Sequence, residues 1–177
     1  MTATIFTIGH STRPIETFIG LLQSNRVQQV ADVRTVPKSR HNPQFAQEVL
    51  DASLTAAGIG YRHLPRLGGL RHARPDSVNL GWRNLSFRGF ADYMQSLEFR
   101  AGLDELEEWA RARPSAIMCA EAVPWRCHRS LIGDSLEVRG WEVLDIISGR
   151  PPQAHRPTPF LQVVDGRLSY PEPQPGD

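Results

Sequence analysis

Seven residues stand out for the chemistry they could do: His10, Arg34, Cys119, Glu121, Cys127, His128 and Arg129. Five of them fall in two short blocks, Cys119-Ala120-Glu121 and Cys127-His128-Arg129. The thiolate is the nucleophilic form of cysteine, and cations and helix N-termini favour it. Cys127 has Arg126, His128 and Arg129 beside it in sequence and would open a helix, so it is the expected reactive thiol. Cys119 would end a strand, where burial keeps a thiol inert; both cysteines could equally be small core residues. His10 could serve as acid or base, or only hydrogen-bond its own loop. Glu121 could be a general base, an orienter of Arg34 or Arg129, or a plain ion-pair partner. The candidates for proton or nucleophilic work are thus Cys127, His10 and Glu121.

An anion is the natural guest of the remainder. Arg34 and Arg129 can supply charged forks, and backbone N–H groups at residues 127–129 a helix N-terminus. Ser11, Thr12 and His128 add hydrogen-bonding groups, with Cys119 and Arg40 in support; Ser11 and Thr12 also suit capping of the first helix. Cys119 to Arg126 reads Cys-x6-Arg, one residue longer than the Cys-x5-Arg loop with which phosphatases and rhodaneses wrap an oxyanion. Pro124 and Trp125 also replace the small residues such a cradle prefers. For a metal, Cys119, Cys127, His128, His10 and Glu121 are all possible ligands. There is no Cys-x2-Cys pair, however, and neighbours 127 and 128 on a helix diverge by about 100°. No metal is expected, and no motif names a nicotinamide, flavin or P-loop cofactor; Gly68-Gly69 alone is too weak a signal.

The elements that must position these residues alternate. Residues 4–8 are a β-branched run ending at Gly9, and Pro14 begins a helix with Ile15, Phe18, Ile19 and Leu22 on one face. A second strand spans 30–33. After a basic loop over 35–41, Asn42-Pro43 caps and opens a second helix, with Phe45, Val49, Leu50 and Leu54 inward and Gly58 as its stop. A third strand covers 61–64, and a Gly- and Arg-rich loop runs over 66–83; loops this long are usually functional or mobile. Helical spacing returns over 87–113, with a break expected near 99–103 at Gly102. Strand four is 116–118, the Cys127 helix ends at Gly140, and strand five is 142–147. Alternation of this kind predicts an α/β fold: a doubly wound, mostly parallel sheet of about five strands, helices on both faces. A Pro-rich tail over 150–177 carries a small hairpin around Asp165-Gly166, then a frayed end. In such sheets the working crevice lies beyond the carboxyl ends of the strands, where His10, Arg34 and Cys119 fall; His10 faces the Cys119 and Cys127 loop if strands one and four are neighbours.

Length and composition fit one domain of 177 residues, core about 4–148. No run of eighteen apolar residues occurs, so no membrane span is expected. The N-terminus lacks a signal-peptide pattern, and two cysteines make no disulfide scaffold; both place the chain in the cytoplasm. Net charge is only +1, but residues 34–88 hold nine Lys/Arg against three Asp/Glu, +6, leaving −5 for the rest. That asymmetry points to an anionic ligand, a nucleotide or nucleic acid among the options, or else to a solvated basic surface.

Six blocks occur in order: Thr7-Ile8-Gly9-His10-Ser11, Ala31-Asp32-Val33-Arg34, Pro37-Lys38-Ser39-Arg40, Leu67-Gly68-Gly69, Cys119-Ala120-Glu121 and Cys127-His128-Arg129. On these the chain resembles the prokaryotic family known as domain of unknown function 488 (DUF488), over about residues 4–148. The resemblance implies a fold and a marked site, and no reaction. Three functions fit the residues: an enzyme acting on a phosphate-bearing small molecule or nucleic acid; a non-catalytic nucleic-acid-binding module using the basic 34–88 segment; and a thiol- or metal-based redox-responsive protein using Cys119 and Cys127.

Overall fold

A computed structural model describes residues 2–175 of the chain. Its main sheet has six strands in the order β3-β2-β4-β1-β5-β6. These are β1 (Thr4–Gly9), β2 (Gln29–Asp32), β3 (Gly60–His63), β4 (Ser115–Cys119), β5 (Glu142–Ile146) and β6 (Gln153–Ala154). The first five pair in parallel, and β6 adds an antiparallel edge that the alternation did not predict. Strands β1 and β4 are neighbours, with Gly9 opposite Cys119.

Five helices cover the sheet: α1 (Ile15–Ser24), α2 (Gln47–Ala56), α3 (Leu85–Tyr93), α4 (Leu97–Ala112) and α5 (Arg129–Val138). Successive strand residues point to opposite faces. Val30, Ala116, Met118 and Ile8 therefore pack with Phe18, Leu22, Leu50 and Leu54 of α1 and α2. Ala31, Ile117, Cys119 and Ile5 pack with Phe90, Leu103 and Leu131 of α3, α4 and α5. The architecture is the α/β doubly wound sheet expected, with a C-terminal hairpin of β7 (Gln162–Val164) and β8 (Arg167–Ser169). Asp165 and Gly166 both take positive φ in its turn, 51° and 77°.

Four local expectations are corrected. Asn42-Pro43 opens only a 3-10 turn over Pro43–Phe45; Ala46 is extended, and α2 begins at Gln47. Val49 is exposed rather than inward. The helical stretch breaks at residues 94–96, where the Ser96 hydroxyl caps α4, and not at Gly102, whose missing Cβ admits Arg66 and Leu67. Ser11 and Thr12 do not cap α1: its N-cap is Pro14, without a side-chain bond.

The long loop is ordered around the buried Asp92 of α3, which accepts from Arg74 N, Ser77 Oγ and Asn79 Nδ2. The tail is pinned as firmly. Asp134 of α5 accepts from His155 Nε2 (2.7 Å), Thr158 Oγ1 (2.8 Å) and the fully buried Tyr170 hydroxyl (2.9 Å). The frayed end expected past the hairpin falls partly on 176–177, outside the described residues. Among the described residues no helix is long and apolar enough to cross a membrane.

Candidate functional site

The chain leaves β4 at Cys119, runs through Ala120 to Val123, makes a 3-10 turn over Pro124–Arg126, and enters α5 at Arg129. Cys127 thus precedes the helix by two residues instead of sitting in its first turn. Arg129 folds back under this loop and is fully buried. Its Nη1 donates to Cys119 Sγ (3.1 Å) and to the Glu121 carbonyl (2.9 Å), and its Nη2 to the Ala122 carbonyl (3.2 Å). Its Nε has no acceptor among the described residues. No Asp or Glu side chain among the described residues is within ion-pair reach of it. The Arg13 guanidinium, close enough to feel its charge, bonds to the carbonyls of Gly9 and Ile147.

A buried cation needs a counter-charge. Here the group in place to supply it is a sulfur. Burial alone would raise the Cys119 thiol. A hydrogen bond from Cys127 and the charge of Arg129 outweigh burial and hold it below the ordinary thiol value. A longer 3.6 Å contact from Cys119 Sγ to the Glu121 carbonyl is open only to the protonated form. Cys127 behaves oppositely: burial, its donation to Cys119 and the negative charge there push it well above the ordinary value. The two thiols are thus pushed apart in the direction opposite to the sequence expectation, Cys119 downward and Cys127 upward.

His128 fixes its own state. Its Nε2 lies 2.9 Å from the Val33 carbonyl and 3.0 Å from that of Leu67, so Nε2–H donates and Nδ1 is left as an acceptor, 3.4 Å from Cys127 Sγ. Burial first, then Arg129 and Arg71, lower it to about 4, against the bonds to Val33 and Leu67. Gly69 and Gly68 make this packing possible. A Cβ on Gly69 would lie 2.6 Å from His128 Nδ1, and one on Gly68 2.6 Å from Thr35 Oγ1.

His10 and Arg34 belong to the other face of the sheet. The His10 ring stacks on Phe45 (centroids 4.3 Å apart), with Nδ1 on the Ser11 carbonyl (2.7 Å) and Nε2 facing Arg34 Nη1 (3.4 Å). Burial, helped by Arg34, lowers its pKa. Arg34 forms a two-pronged pair with Asp32 (2.9 and 2.7 Å), and the Tyr61 hydroxyl donates to the same carboxylate (2.5 Å). Asp32 keeps Arg34 charged against its burial. With β1 and β4 neighbours, His10 shares a cleft with residues 120–123 of the cysteine loop, while its ring packs on Phe45 rather than on the cysteines themselves. Glu121 pairs with neither Arg34 nor Arg129; its side chain is exposed, and only its carbonyl holds Arg129.

The two groups meet at the carboxyl edge in two adjoining clefts. One, of about 480 Å³, is lined by Cys119, Cys127, His128, Arg34, Lys38 and Arg126. The other, of about 580 Å³, is lined by His10, Ser11, Thr12, Arg40, Glu121 and again Lys38 and Arg126. The sequence-predicted site residues other than Arg129 line one cleft or the other. Sequence reasoning missed Lys38 and Arg126 at the shared rim, and Asp32, Tyr61 and Phe45 beneath it. Asp32 lay within a block already singled out, two residues before Arg34, the spacing that lets it hold that side chain.

The loop differs from an oxyanion cradle in direction. It turns the carbonyls of Glu121 and Ala122 toward the guanidinium, and the N–H groups of Cys127 and Arg129 go to the Pro124 carbonyl and to Cys127 Sγ. The basic surplus of residues 34–88 is also smaller than its count. Arg34 is held by Asp32, Arg62 and Arg66 by Glu105, Arg74 by Asp76, while Arg71 lies over Tyr93 and Arg88 on the Trp82 carbonyl. Among the described residues no group of three or more His, Cys, Asp or Glu side chains is gathered as a metal site.

The protein is thus an α/β domain with a mostly parallel, doubly wound sheet and a buried arginine–cysteine pair at its carboxyl edge. The family model described as domain of unknown function DUF488 matches residues 14–136, and the chain belongs to that family. Neither the curated proteins nor the solved structures gave a match.

Proposed function

We propose that this protein is a thiol-dependent enzyme acting on an anionic, phosphate-bearing small molecule or nucleic acid at the carboxyl edge of its sheet. The observation that carries the reading is Arg129: fully buried, without a carboxylate, and 3.1 Å from Cys119 Sγ. Such a guanidinium is tolerated if the sulfur is a thiolate, and a thiolate at the floor of a cleft is a nucleophile. Cys119 takes the nucleophilic role first expected of Cys127. Cys127, a neutral thiol 3.4 Å from His128 Nδ1, is placed to give and recover a proton. Exposed Glu121 is the carboxylate open to both clefts. Lys38, Arg40 and Arg126 would hold the ligand's phosphate, because Arg129 is engaged inward. Since the loop presents carbonyls, the sulfur's target is an electrophilic atom other than phosphorus. One domain in a reducing cytoplasm suits two free thiols of this kind.

The test is a titration of the thiolate ultraviolet band in the wild type, Cys119→Ser and Cys127→Ser. A band at neutral pH is expected in the wild type and Cys127→Ser, and none in Cys119→Ser. A wild type without the band, or a band that persists in Cys119→Ser, overturns the reading.

A further inference from the structure

We propose that Cys119 and Cys127 form a hydroperoxide-reducing pair, in which the Cys119 sulfur takes an oxygen from a small hydroperoxide and Cys127 resolves the product to a disulfide. The inference rests on Cys119 being the thiolate but concerns a reaction separate from that on the phosphate-bearing ligand.

Three observations support it. The sulfurs share one residue: Arg129 Nη1 is 3.1 Å from Cys119 Sγ, and Arg129 N is 3.5 Å from Cys127 Sγ. Their acidities are pushed apart, Cys119 below and Cys127 well above the ordinary thiol value, the division of labour that attack followed by resolution needs. Both line the same cleft, Cys119 2% and Cys127 6% exposed, so a small hydroperoxide entering it meets both residues.

The steps balance. The Cys119 thiolate attacks the distal oxygen of the hydroperoxide; an S–O bond forms, the O–O bond breaks, and the leaving alkoxide takes the Cys127 proton, the guanidinium stabilising the departing charge. The new Cys127 thiolate then attacks the Cys119 sulfenic sulfur; the S–S bond forms and hydroxide leaves to solvent. Two electrons pass from the two sulfurs to the peroxide. Two equivalents of a low-molecular-weight thiol return them by exchange, releasing that thiol's own disulfide.

Wild type, Cys119→Ser and Cys127→Ser are treated with one equivalent of hydrogen peroxide and read by intact mass and peptide mapping. The wild type is expected to lose two hydrogens and yield a linked Cys119–Cys127 peptide, reversed by reduced glutathione. Cys127→Ser should stop at a sulfenic acid on Cys119, trapped by dimedone. Cys119→Ser should react at least about tenfold more slowly. Wild type that keeps both thiols under conditions that oxidise a free cysteine peptide overturns the inference, as does linkage only between molecules. If Cys119 shows its thiolate band and yet no intramolecular link forms, this inference alone fails. If the band belongs to another residue, both readings fail.

Discussion

The carbonyl oxygen of Glu121 crosses the end of β1 so closely that a Cβ on Gly9 would lie 1.6 Å from it. The bare backbone at residue 9 lets the Cys119 loop lie down on its neighbouring strand, with His10 N and Ser11 N donating to the Cys119 and Ala120 carbonyls. The loop thereby aims the Glu121 and Ala122 carbonyls at Arg129. Gly9→Ala must displace that loop backbone. We expect a loss of about 3 kcal/mol in denaturant unfolding, together with loss of the neutral-pH thiolate band. Unchanged stability and titration would refute this use of Gly9.

Arg129 and Cys119 should be strongly coupled in energy. Arg129→Met leaves a buried thiolate that must reprotonate and strips two carbonyls of their donor; Cys119→Ser leaves a buried cation without its counter-charge. Each should cost about 3–5 kcal/mol. The double variant should cost clearly less than their sum, because the second change removes the group the first left uncompensated. Equilibrium unfolding of the four proteins closes the cycle, and strict additivity would dissolve the pair.

Below neutrality the fold should weaken through His128. Its folded pKa, about 4, is below the ordinary 6.5, so between these values the unfolded chain binds more protons. The stabilisation is complete above about pH 6.5 and disappears as pH falls through about 4, on the order of 3 kcal/mol in all. His10, lowered by burial, acts in the same direction. His155, raised because Asp134 outweighs its burial, instead contributes stability that is lost as pH rises above 6.5. His128→Gln, whose amide can still reach the Val33 and Leu67 carbonyls, should flatten the acid limb; His155→Gln should leave that limb intact. Unfolding free energy measured at intervals from pH 4 to pH 8 decides.

What sequence could show, and what it could not, divides along reach. The five parallel strands and the 165–166 turn were legible because β-branched runs and turn residues act locally; the β1–β4 pairing, left as a condition, was not. The start of α2 was not: Phe45 is drawn between His10 and Phe18, 4.3 and 5.2 Å from their rings, and this packing overrides the cap signal at Asn42. The thiol order was illegible for the same reason. Cys127 has two arginine neighbours in the chain, yet the guanidinium of one of them reaches back ten positions to Cys119, and α5 begins too late to help Cys127. The two-faced sheet also separates His10 from the cysteines, a consequence of side-chain alternation that strand adjacency alone did not disclose.

The rim cations Lys38, Arg40 and Arg126 are exposed and unpaired among the described residues, so removing them should alter binding and spare the fold. With a short single-stranded oligonucleotide as probe, Lys38→Ala and Arg126→Ala should each weaken binding by roughly 1.5–3 kcal/mol and lower the salt slope by somewhat less than one. Arg74→Ala, in the long loop and paired with Asp76, should change neither. Fluorescence titrations at several salt concentrations provide the measurement; equal effects at all three positions would argue for a diffuse basic surface.

Asp134 sits on α5 five residues beyond Arg129, and its partners are all later in the chain, at residues 155, 158 and 170. A chain made from its N-terminus has every parallel strand and both cysteines in hand before any of those partners exists. Without those partners the buried Asp134 carboxylate of α5 has no donors of its own, although Leu131, Ile132 and Leu136 still pack the helix on the sheet. Residues 155, 158 and 170 therefore help to seat the helix whose Arg129 reaches Cys119, so the guanidinium–sulfur contact depends on chain that follows the whole parallel sheet.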